Sequence, residues 1–158
     1  MKQLMMLDLG NILPDSNLYS DMVDEIISTE QFILNLKKIQ SFFYVEETED
    51  IEIFLIGNYS KFFKIKENIL KRNYGEYSAL ERIIVEQTIS ILGPRIIGVS
   101  QDNLIKDFKL FKHLDQYNIM LITDEVVGNF DNVCHINSTG ELSKNIMEYM
   151  YNFFILKG

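Results

Sequence analysis

The chain has one cysteine, Cys134, so a disulfide framework has no second partner to build from. It has two histidines, His113 and His135, too few for a structural zinc site with a single cysteine beside them. It has two prolines, Pro14 and Pro94, each read at the edge of an element, so no proline-rich linker divides it. No apolar run reaches membrane length, which excludes a spanning helix. The opening MKQLMMLDLGN is too short an apolar block, with no small-residue cleavage site, to read as a signal peptide. Basic side chains are outnumbered, 15 against 23 acidic, for a net charge of −8, which argues against a strongly basic nucleic-acid coat. A local basic patch, or acids gathered round a metal, is compatible with that balance.

What is present is ordinary globular material. Apolar residues make up 47% and charged residues 24% of 158 positions, enough for one core and one domain spanning 1–158. No internal repeat or low-complexity tract occurs. The expectation is a cytoplasmic protein.

Apolar runs alternate with helical patterns. Strands are expected at Lys2–Leu9, Ile51–Ile56, Arg95–Val99, Ile119–Thr123 and, very short, Val133–Ile136. Helices are expected at Ser28–Phe43, opened by a Ser28/Gln31 capping box, at Lys61–Lys71, at Tyr77–Leu92, along Leu104–Tyr117, and from Ser138 onward. Gly93-Pro94 should stop the third of these. The alternation predicts an α/β three-layer sandwich, doubly wound, with a mostly parallel central sheet of four to five strands.

Sites in such sheets form beyond the carboxyl ends of the strands, where the strand order reverses. Asp8 follows the first strand and Asp102 the third. If those strands are neighbours, two carboxylates overhang one crevice and repel unless a divalent cation neutralises them. An aspartate after a strand is also a common N-cap of the next helix, and Asp102 suits that role as well.

Leu7-Asp8-Leu9-Gly10-Asn11-Ile12 resembles the first-strand motif of the NYN branch of PIN-like nucleases, an acid with an asparagine three residues on. RIIGVSQDNLIKDFKLFKHLDQYNIMLIT, residues 95–123, resembles that family's central block, in which an apolar strand ends in Ser-x-Asp. Phe130-Asp131-Asn132-Val133 is similar to its late acid-plus-apolar segment. The resemblance implies a PIN-like fold and a metal-dependent ribonuclease, a hydrolase using Mg²⁺ or Mn²⁺. It makes Asp8 and Asp102 catalytic metal ligands, with Glu76 or Glu81 as the acid on the preceding helix; Glu76 is the choice, since Glu81 reads as solvated surface. Asn11 and Ser100 would hold carboxylates or the substrate phosphate. Many relatives carry a second acid where this chain has Leu104.

Lys61, Lys64, Lys66, Lys71 and Arg72, with Phe62 and Phe63 interleaved, read first as the solvated side of a helix. The functional reading makes Lys61 and Lys64 phosphate contacts. Lys106, Lys109 and Lys112 admit the same two readings. RNA is the expected partner and a membrane is not; a homodimer stays open.

Asp8-Leu9-Gly10-Asn11 also resembles the first motif of haloacid-dehalogenase-like phosphatases. That resemblance implies Asp8 as a nucleophile, Asn58 or Ser60 on phosphate, Lys106 or Lys109 for charge balance and Asp124 on magnesium. Gly10 stands where that family has its general acid, and 126–132 is short for its last connecting helix. A catalytically degenerate binding or regulatory module is the third reading, favoured by Leu104. His113, His135, Cys134 and the seven methionines read as structural.

Overall fold

The computed structural model describes residues 2–12, 22–43, 51–100, 116–123, 133–136 and 147–156. β1 (Lys2–Asp8) runs into a 3₁₀ turn, Leu9–Ile12, and α1 spans Met22–Phe42. β2 (Glu52–Ile56) leads through a 3₁₀ turn, Asn58–Phe62, into β3 (Phe63–Lys66) and β4 (Ile69–Arg72). Then come α2 (Ala79–Leu92), a 3₁₀ turn at Gly93–Arg95, β5 (Ile96–Val99), β6 (Tyr117–Ile122) and β7 (Val133–Ile136). Helical residues 147–150 continue into a π-helical turn, Tyr151–Leu156.

β5-β2-β1-β6-β7 form one five-stranded sheet, parallel throughout. β1 is central, pairing Leu4–Asp8 with Glu52–Ile56 on one side and Lys2–Leu7 with Tyr117–Ile122 on the other. Its apolar run Leu4–Leu7 follows from burial on both faces. Met5 and Leu7 pack with Phe32, Leu36 and Ile39 of α1 and with Ile84 and Val85 of α2. Leu4 and Met6 join Ile56, Ile119 and Leu121 on the opposite face. Met5, Met6 and Leu7 are fully buried, and each contributes roughly 1.5–3 kcal/mol relative to exposure. The result is the α/β three-layer sandwich expected. No helix among the described residues is long and apolar enough to cross a membrane.

Three elements depart from expectation. α1 begins at Met22, so Ser28 lies inside it and is no N-cap; Gln31 instead donates to Asn35 Oδ1 at 3.2 Å. The segment 61–71 is not helical. It is the β3–β4 hairpin, closed by Glu67 and Asn68, both at positive φ as a two-residue hairpin turn requires. Lysines favour helices, but Phe63 and Ile65 stand two apart, Leu70 lies opposite Ile65 on the next strand, and Phe63 and Leu70 reach the core. α2 starts at Ala79 on a Ser78 N-cap rather than at Tyr77. Gly93 keeps a right-handed helical conformation, and the helix ends by tightening into the 3₁₀ turn that holds Pro94. The helix expected along 104–117, the start of the last helix at 138, and Pro14 lie outside the described residues.

Two amide side chains fasten the elements that carry the site. Asn35 is fully buried and donates from Nδ2 to the Ile12 carbonyl at 2.8 Å, tying α1 to the turn after β1. Gln40 donates to the Ile91 carbonyl at 3.1 Å, tying α1 to α2.

Candidate functional site

Parallel pairing brings the carboxyl ends of all five strands to one edge. From β1 the chain steps outward to β2 and β5, then returns to the other side of β1 for β6 and β7. The order therefore reverses between β1 and β6, the place where open parallel sheets bind ligands. Asp8 ends β1 and Thr123 follows β6, one on each side of that reversal.

The Asp8 side chain is 7% exposed. The Gly10 amide donates to Oδ1 at 3.0 Å, a local bond that caps the turn. The Thr123 hydroxyl faces Oδ2 at 3.4 Å from across the sheet. His135, on β7, donates from Nε2 to the Thr123 carbonyl at 2.9 Å, so β7 steadies the residue that meets the acid.

Two glycines give the carboxylate its space. Gly57, just past β2, has φ +86°, and a Cβ there would lie 2.4 Å from Asp8 Cγ. Gly10 is tighter than usual as well, with Asp8 Oδ1 3.3 Å from where its Cβ would be. Ser60 secures the Gly57 turn, donating from its hydroxyl to the Gly57 carbonyl at 2.6 Å.

Tyr59 follows from the same turn, its ring 3.6 Å from the position of a Gly10 Cβ. Burial raises the pKa of its phenol above 10.0, and the negative charges of Glu81 and Asp8 raise it further. The proton is thus held firmly, and the group is a hydrogen-bond donor at neutral pH.

Glu81 belongs to the α2 N-terminus. Its side chain accepts from the Ser78 amide at 2.9 Å, and the Ser78 hydroxyl accepts from the Glu81 amide at 3.1 Å, a complete capping box. These bonds hold its pKa below the ordinary carboxylate value, with Lys61 adding to the effect. Glu81 thus stands at the surface, as expected, with its carboxylate engaged in the cap of α2.

The remaining expected site residues fall in several places. Ser100 is buried, and its amide extends the β5–β2 ladder by donating to the Leu55 carbonyl at 2.9 Å. It follows β5, and β2 stands between β5 and β1, so the first and third strands are not neighbours. Glu76 is exposed and lines a groove of about 600 Å³ between the hairpin and α2, with Arg72, Tyr74, Tyr77, Arg82 and Glu86. Lys61 places its ammonium 5.3 Å from the Phe62 ring, and Lys64 places its own 5.2 Å from the Tyr74 ring. The Asn11 backbone lies in the turn after β1; its side chain is outside the described residues. So are Asp102, Leu104, Lys106, Lys109, Lys112, His113, Asp124 and Asp131.

An aspartate carboxylate is a hard oxygen donor of the kind that suits a cation such as Mg²⁺ or Mn²⁺. Among the described residues no three of His, Cys, Asp and Glu gather where a metal ion could sit. Gly57, Tyr59 and Thr123 are site residues that sequence reasoning missed, whereas His135 reads as structural and bonds the Thr123 carbonyl. Gly57-Asn58 after a strand and Thr123 at a strand end were the available signals, and neither names a partner. No protein-family model, no curated protein and no solved structure matches this chain.

Proposed function

We propose that the chain is a cytoplasmic ribonuclease that hydrolyses RNA phosphodiester bonds with Mg²⁺ or Mn²⁺ bound at Asp8. The observation that carries the reading is the buried Asp8 carboxylate at the strand-order reversal, with its neighbours stripped of side chains at Gly10 and Gly57. A divalent ion there supplies charge neutralisation for the attacking and leaving oxygens. Asp8 presents its oxygens in a fixed direction because Gly10 and Thr123 engage one each. The absent Cβ at Gly57 leaves the room that the Asp8 carboxyl occupies, so the acid keeps its place at the strand end. Tyr59 donates its held proton as a hydrogen bond to a non-bridging oxygen. Asp102 supplies the second carboxylate in this proposal. Of the acids on the α2 side, Glu81 is the one whose charge reaches Tyr59, while Glu76 lines the adjoining groove.

The test is manganese binding by calorimetry together with cleavage of an end-labelled single-stranded RNA. Asp8→Asn and Asp102→Asn should each abolish binding and reduce cleavage at least a hundredfold. Full cleavage by both variants would overturn the proposal, as would a parent that neither binds manganese nor cuts RNA; that second result makes a degenerate module the leading reading.

A phosphatase remains the second reading, for one reason. The segment lying against Asp8 is the turn after β2 that carries Gly57, Tyr59 and Ser60, not the end of β5. Turnover of a small phosphomonoester without RNA cleavage would select it.

A further inference from the structure

We infer that the outer face of the β3–β4 hairpin, with Tyr74 at its end, is a docking platform for single-stranded RNA. The choice of RNA among polyanions rests on the ribonuclease reading; the site itself rests on the hairpin.

Residues 61–72 hold five basic side chains and one acidic, within a chain of net charge −8. Hairpin pairing sorts them by face. Phe63 pairs with Arg72 and Ile65 with Leu70, and Phe63 and Leu70 are buried. Cross-strand partners share a face, so the alternate pairs, Lys64 with Lys71 and Lys66 with Ile69, make up the other one. Three lysines thus stand together on a two-stranded ribbon, with Ile69 56% exposed beside them. Lys64 directly opposite Lys71 is a like-charge pair, which costs stability. Guarding a strand edge needs only a lysine or two and no such pairing. A polyanion laid across the face removes the repulsion and releases its own counterions.

The exposed ring narrows the class. Tyr74 is 99% exposed, the Lys64 ammonium is 5.2 Å from its ring centre, and it forms one wall of the groove. An unstacked base can lie on such a ring, whereas a duplex keeps its bases stacked inside. The groove balances Arg72 and Arg82 against Glu76 and Glu86, so the excess positive charge lies on the hairpin face. From the groove, Tyr77, Phe62 and Tyr59 form a row of rings, with centroids 5.1 Å and 6.0 Å apart, that ends beside Asp8. A strand held on the hairpin is therefore led toward the acid.

The experiment is fluorescence anisotropy with a labelled single-stranded RNA of about 15 nucleotides, near the upper site size of one small domain. The full chain carrying Asp8→Asn is used in EDTA, so cleavage plays no part. Replacing Lys64, Lys66 and Lys71 together by glutamine should weaken binding at least tenfold at low salt. It should also reduce the slope of log Kd against log salt by about 2. Tyr74→Ala should weaken binding about fivefold or more while leaving that slope unchanged. Lys37→Gln with Lys38→Gln, on α1, is the control and should change neither. Equal losses in the triple variant and the control would overturn the inference, as would no RNA binding or tighter binding to phosphatidylserine vesicles than to RNA. Hairpin-dependent RNA binding by a parent that never cleaves would sink the ribonuclease reading and leave the platform standing.

Discussion

A Cβ on Gly57 would stand 2.4 Å from the carboxyl carbon of Asp8 and 2.5 Å from each of its oxygens. The end of β2 and the acid at the end of β1 therefore occupy one shared space, and Gly57 also adopts φ +86°. Gly57→Ala should destabilise the fold by on the order of 2 kcal/mol or more, through strain and displacement of a buried carboxylate. Urea denaturation measures this. Manganese binding should fall with it, and an alanine variant with parental stability would show that the contact is not tight.

The Tyr59 phenol offers a pH test. Its pKa is raised in the fold by burial first, then by Glu81 and Asp8. The stabilisation it confers is complete below pH 10.0, where folded and unfolded chains both keep the proton. As pH rises past that value the unfolded chain ionises first, so stability declines. Tyr59→Phe should flatten this alkaline decline in thermal melts. Asp8→Asn should lower the Tyr59 pKa in an ultraviolet titration, and an unchanged value would separate the two groups.

Ser78 closes the capping box of α2 with Glu81. Ser78→Ala should cost about 1 kcal/mol. Glu81 loses part of its hold as pH falls below 4.5 and through its lowered pKa, so in that range the parent should weaken more than the Ser78→Ala variant. Equal acid sensitivity in both proteins would count against the box.

On the hairpin, Lys71→Glu places an opposite charge directly across from Lys64. Relief of repulsion should raise Tm by about 1–3 °C. RNA binding should fall in the same variant. A lowered Tm would mean that the two lysines do not share a face.

Much of the architecture was legible because burial writes itself into one-dimensional pattern. β1, β2, β6 and β7 were each visible as apolar runs, since a parallel strand is covered on both faces. α2 was visible because its apolar positions repeat at helical spacing. The hairpin differs from the helix expected because its lysines have helical propensity, and only Phe63 and Ile65 two apart, with Leu70 beyond a two-residue turn, speak for strands. The α1 start was misplaced because Ser28 with Gln31 fits a capping box wherever it falls, and the true start lies at Met22.

The candidate site divides in the same way. That Asp8 would end a buried strand was determined by the sequence alone, since it closes the apolar run Leu4-Met5-Met6-Leu7. That glycine would follow β2, and that Tyr59 and Thr123 would exist, is also plain reading. Which of these meet was decided only by the order of strands. Placing β2 and β6 on either side of β1 brings Gly57 and Thr123 to Asp8 and sets Ser100 one strand further away. Residues separated by 115 positions, such as Asp8 and Thr123, leave no periodic trace of their contact, because hydrogen bonds across a sheet depend on register and not on spacing.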